Sequence, residues 1–278
     1  MVSLAFRAIL FAAGIFLSSA AAAQTPNHVE IIFLDVGQGD AAVIRSPEGT
    51  VALIDAGPNE EIVQHLERHG IEVVDVAIAS HAHADHIGGM EAVFRALPVR
   101  YYSDNGIPHT TETYRSLMGV LEASDITYLE ARDRRISLGS VELRLLPPPG
   151  HGDQNENSVG VLVSYGAFRA LLTGDSEAVE LQHFLNRGVP DVTLLKAPHH
   201  GSRDAVTPEW LSAVRPEVVV ISCGADNQYG HPDRWALRYY SNVAERVLRT
   251  DLDGEVMVLG ARDGTYSVQT NSGTGTRR

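Results

Sequence analysis

Short apolar runs broken by glycine, proline and asparagine recur from residue 29 onward, and their lengths predict strands alternating with helices. Runs at 29–36, 41–45 and 51–55 are separated by Gly37-Gln38-Gly39-Asp40 and Pro47-Glu48-Gly49, the spacing of a strand meander. Over 60–69, Ile62, Val63 and Leu66 fall at helical spacing, and Gly70 ends the pattern. A strand at 73–79, a helix at 87–97, a strand at 99–102, a helix through 114–121 and a strand at 141–146 follow. After the Pro/Gly/Asn-rich loop 147–157 the scheme repeats: strands 159–165 and 168–173, helix 177–187, strand 192–196, helix 207–214, strand 217–223 and helix 233–247. Strands near 255–260 and 265–269 close the chain, and 271–278 is expected to be a disordered Gly/Ser/Thr tail. Two β-rich halves with helices outside them predict an α/β protein in which two sheets pack between helices.

The first 23 residues stand outside this pattern. Arg7 precedes an apolar run over 8–17, and small residues ending in Ala21-Ala22-Ala23 precede Gln24. This order is that of a cleaved secretory signal peptide, and the run is short for a spanning helix of about 20 residues. The expected mature chain, 24–270 as one domain, is therefore secreted or periplasmic and free of the membrane after cleavage. The single cysteine, Cys223, excludes an internal disulfide and reads as a core thiol. A formal charge of −13 argues against strong nonspecific nucleic-acid binding, which uses a basic face.

The densest chemistry follows the strand at 73–79. Ser80-His81-Ala82-His83-Ala84-Asp85-His86 can turn His81 and His83 toward one metal and Asp85 and His86 toward a second. Three later segments also place ligands just after strands: Asp175 in Leu172-Thr173-Gly174-Asp175, the pair His199-His200, and His231 in Tyr229-Gly230-His231-Pro232. Asp175 can bridge two cations. Asp35, Gln38, Asp40 and Asp55 are expected behind the metal loop, and His28, His65, His69 and His183 are read as isolated surface residues.

These motifs, with Phe33-Leu34-Asp35-Val36-Gly37-Gln38-Gly39-Asp40 and Leu53-Ile54-Asp55-Ala56-Gly57, resemble those of the metallo-β-lactamase superfamily, and within it the extracytoplasmic domain of ComEC-like DNA-uptake proteins. The resemblance implies a four-layer αββα sandwich and a hydrolytic centre of two divalent ions, zinc or manganese. It carries ligand roles onto His81, His83, Asp85, His86, Asp175 and His231. Where many members have a further histidine, this chain has Asn155-Glu156-Asn157-Ser158, so His199 or His200 is expected to fill that position. His200 is favoured as the ligand and His199 as the acid.

Such a centre supplies hydroxide near neutral pH. Asp85 would orient it and His199 would protonate the leaving oxygen. Lys196, Ser202, Asn155 and Asn157 are the expected substrate contacts. The leading expectation is an exported phosphodiesterase acting on phosphate esters, extracellular DNA among them. Hydrolysis of a lactam, lactone or thioester on the same fold is the alternative enzyme, and a metal-bearing binding module the non-enzymatic one.

Overall fold

The computed structural model describes residues 27–271 and the backbone of 273–276; the expected signal peptide lies outside the described residues. Among them, strands form two mixed sheets. The first runs β16 (Gly273–Thr276), β15 (Tyr266–Thr270), β14 (Val256–Ala261), β1 (His28–Phe33), β2 (Ala42–Arg45), β3 (Val51–Ile54), β4 (Val74–Ile78), β5 (Val99–Ser103) and β6 (Thr127–Tyr128). The second runs β13 (Arg246–Arg249), β12 (Val218–Ile221), β11 (Leu194–Lys196), β10 (Phe168–Leu172), β9 (Gly160–Tyr165), β8 (Val141–Leu146) and β7 (Arg134–Leu138).

Strand periodicity of two sorts the apolar residues into three cores. Val29, Ile31 and Phe33 of β1 meet Phe168, Ala170 and Leu172 of β10 and Val218 and Val220 of β12 between the sheets. The alternate residues face outward. Ile32 and Leu34 pack under α1 (Ile62–Arg68), α3 (Met90–Ala96) and α4 (Glu112–Glu122). Leu171, Val219 and Ile221 pack under α5 (Ala178–Asn186), α6 (Pro208–Val214) and α7 (Arg234–Val243). The result is an αββα sandwich. Each fully buried Leu, Ile, Val or Phe contributes about 1.5–3 kcal/mol, so a charge placed on either inner face would be strongly destabilising.

Several elements differ from the sequence expectation, and β6 and β7 stand where it has no strand. The helix at 87–97 is split into α2 (Ala84–Ile87) and α3 by Gly88-Gly89. A Cβ at Gly88 would lie 2.1 Å from the Pro58 carbonyl oxygen, and one at Gly89 would lie 2.4 Å from that of Ala56. The helix expected over 233–247 stops at Val243, and β13 then adds to β12 in parallel, with Val219 opposite Val247; α8 (Thr250–Asp253) follows it. At the other end, β16 pairs antiparallel with β15 inside the segment expected as a disordered tail. Cys223 is buried, and its thiol donates to Asp251 Oδ1 at 3.2 Å.

The topology also decides where chemistry can sit. β3 and β4 are parallel in one sheet, and β10, β11 and β12 are parallel in the other. Their carboxyl ends open on one rim, the usual place for ligands in such sheets.

Candidate metal centre

β3 runs into Asp55, which takes a left-handed φ of 57°. Its carboxylate accepts from Ser80 N at 2.7 Å and from Ser80 Oγ at 2.8 Å, and lies 3.0 Å from His86 Nδ1. The β4 loop is thereby tied down from behind. Ser80 Oγ also lies 3.1 Å from His81 Nδ1. At the end of β10, Gly174 has φ 54°, and a Cβ there would sit 2.5 Å from that of Ser80, so the two sheets touch at this glycine. Asp175 follows, its backbone N–H donating to Ser158 Oγ at 3.1 Å.

β11 ends in the 3₁₀ turn Pro198–Gly201, where His199 and His200 take φ of 47° and 51°. Successive left-handed residues are costly, and such strain gathers at functional sites. The turn sends the imidazoles apart. His200 is buried with Nδ1 2.9 Å from the Ser222 carbonyl and 3.3 Å from Asp40 Oδ1. His199 is partly exposed, with Nδ1 3.3 Å from Glu177 Oε1 and Nε2 3.3 Å from Asn155 Nδ2.

Asp85, His86, Asp175 and His200 therefore each offer a ligand atom within 4.8 Å of the other three. His86 Nε2 and His200 Nε2 lie 3.2 and 3.3 Å from Asp175 Oδ2, and His200 Nε2 lies 3.4 Å from Asp85 Oδ2. Beside them His81 Nε2 and His83 Nδ1 are 3.0 Å apart. Both rear nitrogens of His86 and His200 are held, while their Nε2 atoms and Asp175 Oδ1 are buried without a hydrogen-bond partner. Buried polar atoms are normally paired, and orphans aimed at one point fit a cation. Imidazole and carboxylate donors suit zinc, manganese or iron.

The electrostatics agree with that reading. Burial opposes the charged form of His86 and of His200, yet Asp175 and the neighbouring carboxylates hold both well above the ordinary imidazole range. Burial likewise opposes the charge on Asp175, but His200 and His86 hold its carboxyl well below the ordinary value. Burial drives His81 far down, leaving it neutral as a ligand must be.

A cleft of about 370 Å³ opens over the cluster, lined by Gln38, His83, Asp85, Asn155, His199, Tyr229 and His231 among others. Several expected roles change here. His231 stands on the cleft wall, its ring stacked on Tyr229 and centred 6.4 Å from that of His200, outside the four-residue cluster. Lys196 is buried, not in the cleft: its ammonium contacts the Asp40 carboxylate and donates to the Gly174 carbonyl at 3.3 Å. Ser202 Oγ accepts from Asp204 N within its own turn. Asn157 is buried, and its amide donates to the carbonyls of His151 and Asp153, holding the loop closed. Asn155 alone of the expected substrate contacts lines the cleft. Asp40 and Asp55 do lie behind the metal loop, whereas Asp35 is exposed in a different cleft. Ser80, Ser158 and Glu177 were not foreseen, although Ser80 directly precedes the histidine loop.

A family model described as the Metallo-beta-lactamase superfamily matches residues 34–225. The chain is 28% identical over 266 residues to ComE operon protein 3 of Bacillus subtilis (strain 168), covering 86% of this chain and 34% of that protein. It is 30% identical over 233 residues to Recombination protein 2 of Haemophilus influenzae, covering 81% of this chain and 28% of that protein. Both are ComEC-like competence proteins, and the chain spans about a third of their length. The solved structure of Tm1679, a metal-dependent hydrolase of the beta-lactamase superfamily, shares the fold with a TM-score of 0.54 at 15% identity, over 80% of this chain and 96% of that one.

Proposed function

The chain belongs to the metallo-β-lactamase superfamily, and from that premise we propose that it is an exported hydrolase with two divalent ions, zinc or manganese, that cleaves phosphodiesters. The observation that carries this reading is the convergence of ligand atoms from Asp85, His86, Asp175 and His200, among them the orphaned Nε2 atoms of His86 and His200, beside the His81–His83 pair. His81 and His83 would hold one ion, Asp85, His86 and His200 the other, and Asp175 would bridge them. Bound there, the ions would acidify water and offset charge building on the ester oxygens.

The chain's own residues do the rest. His199 lines the cleft with Nδ1 3.3 Å from Glu177 Oε1, and its Nε2 would be the group that protonates the leaving oxygen. Asn155, 3.3 Å from that Nε2, can bind an ester oxygen next to it. His231 and Tyr229 form the opposite wall. No lysine or arginine is among the cleft-lining residues, so the substrate's charge would be met by the metal site and by His199. Such a cleft suits a phosphodiester of modest charge. Extracellular DNA fits as a substrate gripped only at the scissile phosphate, and the ComEC-like relatives support that choice. Export rests on the apolar N-terminal segment; no helix among the described residues is long and apolar enough to cross a membrane.

Metal-replete protein and its Asp175→Ala variant should be compared on bis-p-nitrophenyl phosphate, single-stranded and duplex DNA, a chromogenic lactam and a thioester. The expected result is phosphodiester cleavage that falls by several orders of magnitude in Asp175→Ala. Turnover of the lactam or thioester with none of any phosphate ester would replace this reading with carbon-centred hydrolysis.

A further inference from the structure

His65 and His69, read from sequence as isolated surface residues, meet on the far side of the first sheet. His65 lies on α1 and His69, one turn on, caps its C-terminus; both face Glu255, which precedes β14. His69 Nε2 is 2.7 Å from Glu255 Oε1, and His65 Nδ1 is 4.0 Å from Glu255 Oε2. All three side chains are largely withdrawn from water, with 13–16% of their surface exposed. They border a cleft of about 430 Å³ completed by Asp35, Arg68 and Asn271. None of these residues lines the cleft over the Asp175 cluster.

We propose that His65, His69 and Glu255 form a separate site for one divalent cation of the zinc class. A proton shared between His69 and Glu255 explains one contact and leaves the other idle, because His65 Nδ1 is buried without a hydrogen-bond partner. A cation satisfies all three groups at once. With zinc–nitrogen and zinc–oxygen bonds of about 2.0–2.2 Å, tetrahedral ligands sit roughly 3.3 Å apart. The observed separations of 2.7 and 4.0 Å run to different oxygens of Glu255, and the three groups do not all offer ligand atoms within 4.8 Å of one another, so the ion would have to draw the His65 ring inward. Two imidazoles and one carboxylate leave a fourth position for water or for Asp35, which lines the same cleft.

The placement also gives the ion a purpose. α1 connects β3 to β4, and β14 pairs along β1, whose far end runs into the Asp35–Asp40 loop. The backbone of His69 is already anchored, its carbonyl accepting from Arg45 Nη2 at 2.5 Å. An ion at Glu255 would pin the helix to the sheet beside the loop that carries Gln38 and Asp40 to the catalytic rim. Its role is structural.

The test is equilibrium dialysis of the full chain against Zn²⁺, with wild type, His65→Ala/His69→Ala and Glu255→Gln measured side by side by elemental analysis. Both variants should bind one equivalent less than wild type. Zn²⁺ should also raise the unfolding temperature of the wild type more than that of either variant. Equal stoichiometry in all three proteins would overturn the proposal. Glu255→Gln keeps the test decisive if the double alanine variant does not fold. Because the readout is the difference between variants, it stands whether or not the Asp175 cluster proves to be a phosphodiesterase.

Discussion

Replacing Lys196 with methionine separates a substrate contact from a buried counter-ion. Lys196 is 2% exposed, and its ammonium contacts the Asp40 carboxylate, with Asp175 Oδ1 at 3.9 Å. Burial by itself would raise the Asp40 carboxyl; Lys196, then His200, bring it down to about 2. Moving a carboxyl from 3.8 to about 2 corresponds to about 2 kcal/mol of stabilisation by its partners. Removing one member of a buried pair also strands the other, a cost of about 3–5 kcal/mol. Lys196→Met should therefore lower the stability of the metal-free chain by about 3 kcal/mol or more. Asp40→Asn/Lys196→Met, which removes both charges, should recover most of that loss. Urea unfolding of wild type, both single variants and the double variant in the presence of a chelator gives four midpoints, and their cycle gives the coupling. Folded Lys196→Met should keep its KM for bis-p-nitrophenyl phosphate. A variant with the wild-type urea midpoint and a KM raised severalfold would refute the reasoning and return Lys196 to the substrate.

The paired histidines should behave differently from each other. His200→Ala should lose metal and activity together, whereas His199→Ala should keep metal and lose about 10²–10⁴-fold in rate as a missing general acid would; the reverse pattern by elemental analysis and kinetics would exchange their roles. Glu180 on α5 is buried with no well-formed hydrogen bond, and burial pushes its carboxyl up to about 10. A raised carboxyl contributes its stability fully below the unfolded value of 4.5 and loses it as pH climbs toward about 10. At neutral pH the loss is about 3 kcal/mol, so Glu180→Gln should unfold at higher urea than wild type near pH 8 and lose that advantage near pH 4. Equal midpoints at both pH values would show that the carboxylate is solvated.

The histidine loop was legible because its candidate ligands are neighbours in sequence and follow a strand; in the structure His81 meets His83, while Asp85 and His86 join the Asp175 cluster. Asp175 and the His199–His200 pair could be placed on the same rim because each ends an apolar run. Their division of labour was harder to read, since it depends on left-handed φ at both residues. Lys196 misled for a related reason: a lysine at a strand end looks solvated until the opposing sheet brings Asp40 onto it. His65, His69 and Glu255 are separated by about 190 residues of chain, and only the β1–β14 pairing brings them together. The boundaries that failed did so through tertiary contacts, as when β12 recruited 246–249 as an edge strand from what local pattern reads as helix.

The central claim is that the cluster around Asp175 holds two divalent ions. Its most direct test is the metal content of the wild-type chain compared with His86→Ala/Asp175→Ala, each stripped with chelator, reloaded and confirmed folded by circular dichroism. The account predicts that the wild type binds about two more equivalents than the variant. A difference of less than half an equivalent between two folded proteins would contradict it.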